Sequence, residues 1–569
     1  MEGNLTKGPI LKTLTKLAIP IMASSFLGTL YNITDMAWIG LLGSKAVAGV
    51  GVGGMFTWFS QGLAAMARMG GQVQVAQCIG RGEKEKAHGF AQAAVQLAAF
   101  MGMAYALLSL VFTKQMVGFF QLADAEAHAA AISYTKIACG LIVFSFMTLT
   151  LTGLYTAQGD SKTPFLANLI GLVTNMILDP VLILGPGPFP KLGVAGAAIA
   201  TVTAQAIVMS IMILAIIVRK KENVLKGITL FTKIPAEYLN GICKIGIPTA
   251  IQGMAYCVIS MVITRMVSAF GAEAIATQRV GGQIESISWN TADGFATALN
   301  AFIAQNYGAG EMGRVKKGYR ASQWTVGIWG IFITLLFVCV PRPIANIFFH
   351  EPKAIATAVD YLIIVGFSEA FLCIETTTVG ALSGLGRTHL CSVISIIFTS
   401  ARIPLAIILG GTSLGLNGIW WALSSTSIVK GVLFVIVFQW VTRTKKQVQK
   451  QTVPSILYNL RTSIDPAGHN RAEQCQEKKN SSQQNPHQPD TKFFQHFLPH
   501  FCHFCQIQVS SLLFKHRAQQ LFIPFSFPSA LKLHSFYQVI CQMSTLSGTL
   551  FVTVNSYGFE PLPLPQNIA

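Results

Sequence analysis

Apolar runs of roughly 20 residues or more recur about twelve times before residue 441, and each is long enough to cross a ~30 Å hydrocarbon core as a helix. They fall near 14–41, 46–73, 88–113, 132–157, 163–186, 194–218, 241–270, 276–303, 320–346, 357–384, 389–411 and 415–440. A chain with this pattern cannot be a soluble globule. Charged residues make up 11% of it and hydrophobic residues 52%, whereas a soluble domain carries about 25% charge. The short alternating segments of a membrane β-barrel are not seen, so the spans are expected to be helices.

The runs come in two sets related by an ungapped duplication. Pro20 aligns with Pro248, Gly43 with Gly271, Gly53-Gly54 with Gly281-Gly282, and Ala64 with Ala292. The match closes on a shared AQxxGxGE signature, Ala76 to Glu83 in one copy and Ala304 to Glu311 in the other. Chance coincidence of small residues gives two or three such hits, not a continuous series. The expected fold is therefore an all-α membrane protein of about twelve transmembrane helices in two homologous six-helix bundles. The expected organisation is an N-terminal lobe at 1–220, a linker at 221–240, a C-terminal lobe at 241–450, and a tail at 451–569 that is disordered or non-native.

Basic loops set the orientation. Arg81, Lys84, Lys86, Lys162, Arg219, Lys220, Lys221, Lys226, Lys233, Arg314, Lys316, Lys317, Arg387, Arg443, Lys445 and Lys446 fall on one side. The opposite loops hold little beyond Lys45, Lys114, Lys191, Arg342 and Lys353. The positive-inside bias puts the N-terminus and the end of the twelfth span in the cytoplasm of a multi-pass cell-membrane protein. The net charge of +18 is mostly this topology signal plus the tail, so no nucleic-acid partner is expected. The first run lacks a small-x-small cleavage site and is expected to remain as the first helix. The cysteines are scattered, mostly singly within the spans, and imply no disulfide framework.

Polar residues at membrane depth are the candidate functional groups, because a buried charge there is costly unless it serves an ion or substrate path. In the first run, Asp35 follows Tyr31 and Asn32. The fifth run carries Asn175 and Asp179, four residues apart and so on one helix face, with Pro180 next. Pro180 deprives the Met176 carbonyl of its partner and predicts a bend at this cluster. The sixth run offers Thr201 and Thr203. In the second half, Glu285, Asp293, Glu369 and Glu375 are the acids, and Arg402-Ile-Pro404 stands where the first half has Asp179-Pro180. For each carboxylate the competing reading is structural: an interface residue, a cap, or an internal ion pair. The glycines of the second run suit close helix packing, and Gly80 and Gly82 suit a helix stop.

Beyond Lys450 the residues 453–569 are rich in Gln, His, Ser and Pro, with no helical periodicity and no spanning run. His500, Cys502, His503 and Cys505 do not match a standard zinc spacing. No membrane-embedded enzyme is implied either, since His88, His128, His350 and His389 lie at run ends or in loops, away from any nucleophile. A pure ion channel is disfavoured by the different polar equipment of the two halves.

The paired bundles, the AQxxGxGE turns, Pro20 with Asp35, Asn175-x-x-x-Asp179-Pro180, and the turns Gly159-x-x-x-Thr163 and Gly384-x-x-x-Thr388 resemble the multidrug and toxic compound extrusion (MATE) family. The resemblance covers roughly residues 8–442. It implies a V-shaped pair of bundles exporting small organic cations or amphipathic drugs against inward Na⁺ or H⁺, without a cofactor or a metal beyond the coupling ion, and as a monomer. It also implies that Asp35, Asn175, Asp179 and, less closely, Thr201 form the cation or proton site of the N-lobe. Some members use carboxylates on their seventh and tenth helices. Here the seventh run has none, only Arg265 near its end. Glu369 and Glu375 bracket the expected position on the tenth, leaving Glu285, Glu369 and Glu375 as the candidates for a C-lobe substrate or ion site. A lipid-linked saccharide flippase of the same superfamily is the alternative, and it would need a cavity lined with arginine and lysine.

Overall fold

The computed structural model describes residues 5–464 apart from positions 121, 123, 186–189, 219–222 and 350, with only the backbone at 44, 272 and 444–464. Arg219, Lys220, Lys221, His350, the 187–189 loop and the 500–505 His/Cys group therefore lie outside the described residues. Among those described, every regular element is a helix. The first half contains α1 (Ile10–Gly40), α2 (Ser44–Arg81), α3 (Lys84–Gly118), α4 (Ala125–Gly140), α5 (Val143–Ala157), α6 (Lys162–Leu184) and α7 (Val194–Val218). The second contains α8 (Ala236–Ser268), α9 (Ala272–Gly308), α10 (Met312–Cys339), α11 (Pro341–Phe348), α12 (Pro352–Gly384), α13 (Thr388–Ser400), α14 (Arg402–Gly410) and α15 (Leu416–Ile464).

Nine of the described spans are long and apolar enough to cross a membrane, with α13 and α14 together forming one of them. A tenth is α4 with α5, bent by 47° at its break. The helices α2 and α9, 38 and 37 residues long, have ample length. Glycine and amide side chains dilute their apolar character, as suits helices that face another protein surface rather than lipid. Each of the twelve expected spans thus has a helix or a bent helix pair.

The duplication is visible in the backbone. Gly43 precedes α2 at φ 105° and Gly271 precedes α9 at φ 103°, a conformation that a Cβ makes costly. The two lobes meet through α2 lying along α8 and α1 along α9. Their deepest contact is made by the AQxxGxGE signatures themselves. A Cβ on Gly80 would sit 2.0 Å from the Gln305 carbonyl oxygen, and one on Gly308 would sit 2.1 Å from that of Gln77. Gly80 is therefore not a helix stop: it lies inside α2 and lets the C-terminal ends of α2 and α9 touch backbone to backbone. The stop belongs to Gly82, a left-handed C-cap at φ 80°.

The same glutamines tie the lobes crosswise. Gln77 Nε2 donates to the Gly384 carbonyl at the end of α12 (3.0 Å), and Gln305 Nε2 to the Ala157 carbonyl at the end of α5 (2.7 Å). Gln72 Nε2 donates to Asn300 Oδ1 at 3.0 Å between positions 228 residues apart. At this end the N-terminal segment crosses to the other lobe, with Leu5 N donating to Gln305 Oε1 and Arg314 donating to the Leu5 and Gly8 carbonyls. Toward the other end, inter-lobe contacts reach as far as the Trp58–Tyr256 ring pair and the bond from Asn290 Nδ2 to Thr29 Oγ1. Beyond that level Gly51, Gly54 and Gly282 have open space where a Cβ would project. The lobes are closed at the AQxxGxGE end, where backbone meets backbone.

Pro180 lies inside α6, which runs on to Leu184. Proline removes one hydrogen bond there, and the rest of the ladder continues for a further turn. In the other lobe the helix breaks between α13 and α14 at Ala401, ahead of Pro404. One expectation about the backbone is corrected: α15 extends to Ile464, past the point where helical character was expected to end. Its Lys, Gln and Arg residues beyond 443 are good helix formers without any apolar period. Contacts divide the chain into Met1–Thr452 and Val453–Ala569, and of the second unit only the backbone to Ile464 is described.

Candidate functional site

In the N-lobe, α6 packs against both α1 and α7. Asp35 is 5% exposed, and Asn175 and Asp179 are fully buried, so Asp35 is not an interface residue in contact with solvent. Asn175 Nδ2 donates to Asp179 Oδ1 at 3.1 Å, the one-turn pairing their spacing predicts. Asp35 lies close enough for its charge to act on Asp179, and both acids act on the Tyr134 hydroxyl of α4. Tyr31 of α1 donates to Thr201 Oγ1 of α7 at 2.7 Å, which brings Thr201 to the same wall. Asp35 Oδ1, Asn175 Oδ1 and Asp179 Oδ2 are buried without a hydrogen-bond partner. An unsatisfied buried acceptor costs about 1–3 kcal/mol, and three oxygens from two carboxylates and an amide suit a proton or a hard cation.

The C-lobe candidates separate. Glu285 of α9 accepts a hydrogen bond from the Tyr361 hydroxyl of α12 and senses Arg402. Glu369 is fully buried, senses Glu285, and has both carboxylate oxygens unpartnered. Glu375 belongs to neither: its Oε1 accepts from Lys430 Nζ at 2.8 Å in a buried ion pair. Arg402, 8% exposed, donates to Thr426 and Ser427 at 3.0 and 2.8 Å. The three acids expected to form one group are thus a Glu285–Glu369 pair and a separate, neutralised Glu375. Lys430 is not among the residues its sequence pattern singles out, although the signal is there. A lone lysine within the twelfth apolar run carries the same signal.

A described fold of two homologous helical lobes, closed at one end and holding acids at membrane depth, defines a secondary transporter built by internal repeat. The MatE family model matches this chain twice, over residues 20–181 and 248–408, one match per copy of the duplication. The chain belongs to the MATE family. It is 30% identical over 441 residues to the probable multidrug resistance protein NorM of Thermotoga maritima, covering 75% of this chain and 92% of that one. It is 23% identical over 431 residues to the FAD transporter of Shewanella oneidensis, covering 75% and 94%. Among solved structures it is similar to a multidrug resistance MATE family transporter of the MOP superfamily in an outward-facing conformation. That likeness has a TM-score of 0.72 at 21% identity, over 78% of this chain and 99% of that one, and it speaks for the fold.

Proposed function

We propose that the protein is a cation-coupled antiporter that exports small organic cations or amphipathic drugs across the cell membrane in exchange for inward Na⁺ or H⁺. The observation that carries this reading is the N-lobe cluster, in which Asp35, Asn175 and Asp179 bury three acceptor oxygens with nothing to accept from. The relative in Thermotoga maritima, a probable multidrug resistance protein, supports the cargo class. A carboxylate holds either a proton or a cation, so coupling ion and cargo compete for one pair of acids. The basic loops support a cytoplasmic position for the closed AQxxGxGE end. Rocking the lobes about α1, α2, α8 and α9 would expose the cluster to each side in turn. Each charge moved inward gains ~2.3 kcal/mol per 100 mV, which is about 50-fold in concentrating power.

The flippase reading finds less support. Arg402 is already engaged by Thr426 and Ser427, and Arg265 is exposed near the end of α8 rather than buried with it. The reading is tested with purified protein in liposomes, imposing a Na⁺ gradient and a pH gradient separately and following uptake of a fluorescent organic cation. One gradient should drive uptake against its concentration. Transport indifferent to both would overturn the proposal.

A further inference from the structure

A second polar site lies between the lobes, apart from both acid clusters. It is a cavity of about 180 Å³ lined by Arg68 and Gln72 of α2, Gln252 of α8, Asp293 and Asn300 of α9, and Glu375 of α12. It is well below the ~300–1,000 Å³ of drug-sized pockets. Its charges are arranged by lobe. The guanidinium of Arg68 comes from the N-lobe wall, and the carboxylate of Asp293 comes from the C-lobe wall. Among the described residues neither forms a hydrogen bond or an ion pair, although Asp293 senses Arg68 across the space. Glu375 shares the Asp293 side but is already neutralised from behind by Lys430.

The position of Arg68 is built into the packing. A Cβ at Gly153 of α5 would come within 3.0 Å of Arg68 Cγ and 3.1 Å of its carbonyl oxygen, so the absence of a side chain there makes room for the arginine stem. Gln72 Nε2 is occupied by Asn300 Oδ1, which leaves the two charged groups to define the site. The cavity therefore offers a donor fork on one side and a carboxylate on the other. A monocation would satisfy Asp293 and leave Arg68 facing a like charge, and a monoanion would do the reverse. A ligand carrying both charges satisfies both walls.

We infer that this cavity is a binding site for a small zwitterion, its carboxylate or other anionic end held by Arg68 and its ammonium end by Asp293. The occupant would span the two lobes at their closed end. This site goes beyond the ion-coupled reading and does not depend on it.

The test is calorimetric displacement of bound 6-aminohexanoate from the full-length protein in lipid nanodiscs, with no ion gradient, so that hexylamine held at the N-lobe acids is not counted. The probes are 6-aminohexanoate, hexylamine and hexanoate, which share a chain and differ in their charged ends. 6-Aminohexanoate should bind at least tenfold more tightly than either single-charge probe. Arg68→Gln should reduce its affinity to that of hexylamine, Arg68→Lys should keep most of it, and Asp293→Asn should reduce it to that of hexanoate. If a variant fails to fold, the three-probe comparison on the unaltered protein decides alone. Hexylamine or hexanoate binding as tightly as 6-aminohexanoate, binding of none of the three, or an affinity unchanged within twofold in folded Arg68→Gln and Asp293→Asn, would overturn the inference.

Discussion

Substituting Gly80 by alanine tests whether the signature turns are the seal between the lobes. The new Cβ would lie 2.0 Å from the Gln305 carbonyl oxygen and 2.8 Å from its carbon, against an ordinary contact of 3.4 Å or more. The obstacle is backbone inside a helix, so no side chain can rotate away, and relief requires the ends of α2 and α9 to part by roughly 1 Å or more. Overpacking of this kind costs about 1–3 kcal/mol. Here the cost falls only on the state in which this end is closed, so the ratio of open to closed forms should rise by about 5–150-fold. Spin labels at Lys86 and Lys317, both exposed beside the closed end, in a background without other reactive cysteines, would report this as a longer distance by pulsed electron paramagnetic resonance. Gly54→Ala is the control: nothing lies within 4 Å of its Cβ position, so the distances should not move. An unchanged distance distribution in folded Gly80→Ala protein would refute the argument.

Three further outcomes follow from the same structure. Glu375→Gln leaves Lys430 buried without its counter-charge and should cost about 3–5 kcal/mol, read as a lower thermal unfolding temperature in detergent, and partly recovered in the Glu375→Gln/Lys430→Gln double variant. Truncation after Lys450 should leave insertion and transport intact, because no spanning segment follows, and loss of folded protein would contradict this. A cysteine introduced between positions 223 and 233 should label from the cytoplasm and one at Lys191 from outside, and the reverse pattern would invert the assigned orientation.

Most of the architecture was legible because its causes are written in the sequence over long stretches. Twelve apolar runs and a gapless repeat specify helices and lobes with little help from tertiary detail. What escaped depended on contacts between distant residues. Gly80 looks like a helix stop until Gln305 of the other copy is placed against it, and the continuous apolar run from 132 to 157 gives no sign of the break between Gly140 and Val143. In the N-lobe, the one-turn spacing of Asn175 and Asp179 was enough to place both on one face, but the bond from Tyr31 that draws Thr201 into the group was not. In the C-lobe, three acids looked alike, and only Lys430 distinguishes the neutralised Glu375 from Glu285 and Glu369.

The central claim, that Asp35 and Asp179 act as one unit in coupling cargo to ion, is tested most directly by efflux of an organic cation from cells with matched amounts of unaltered protein, Asp35→Asn, Asp179→Asn and the double variant. The amide keeps the shape and removes the charge, and protein level should barely fall because a buried amide is cheaper to desolvate than a carboxylate. Each single variant should abolish gradient-driven export, and the double variant should be little worse than either, since groups that act together are not additive. Export close to that of the unaltered protein from Asp35→Asn would remove α1 from the mechanism and move the coupling site to Glu285 and Glu369 in the other lobe.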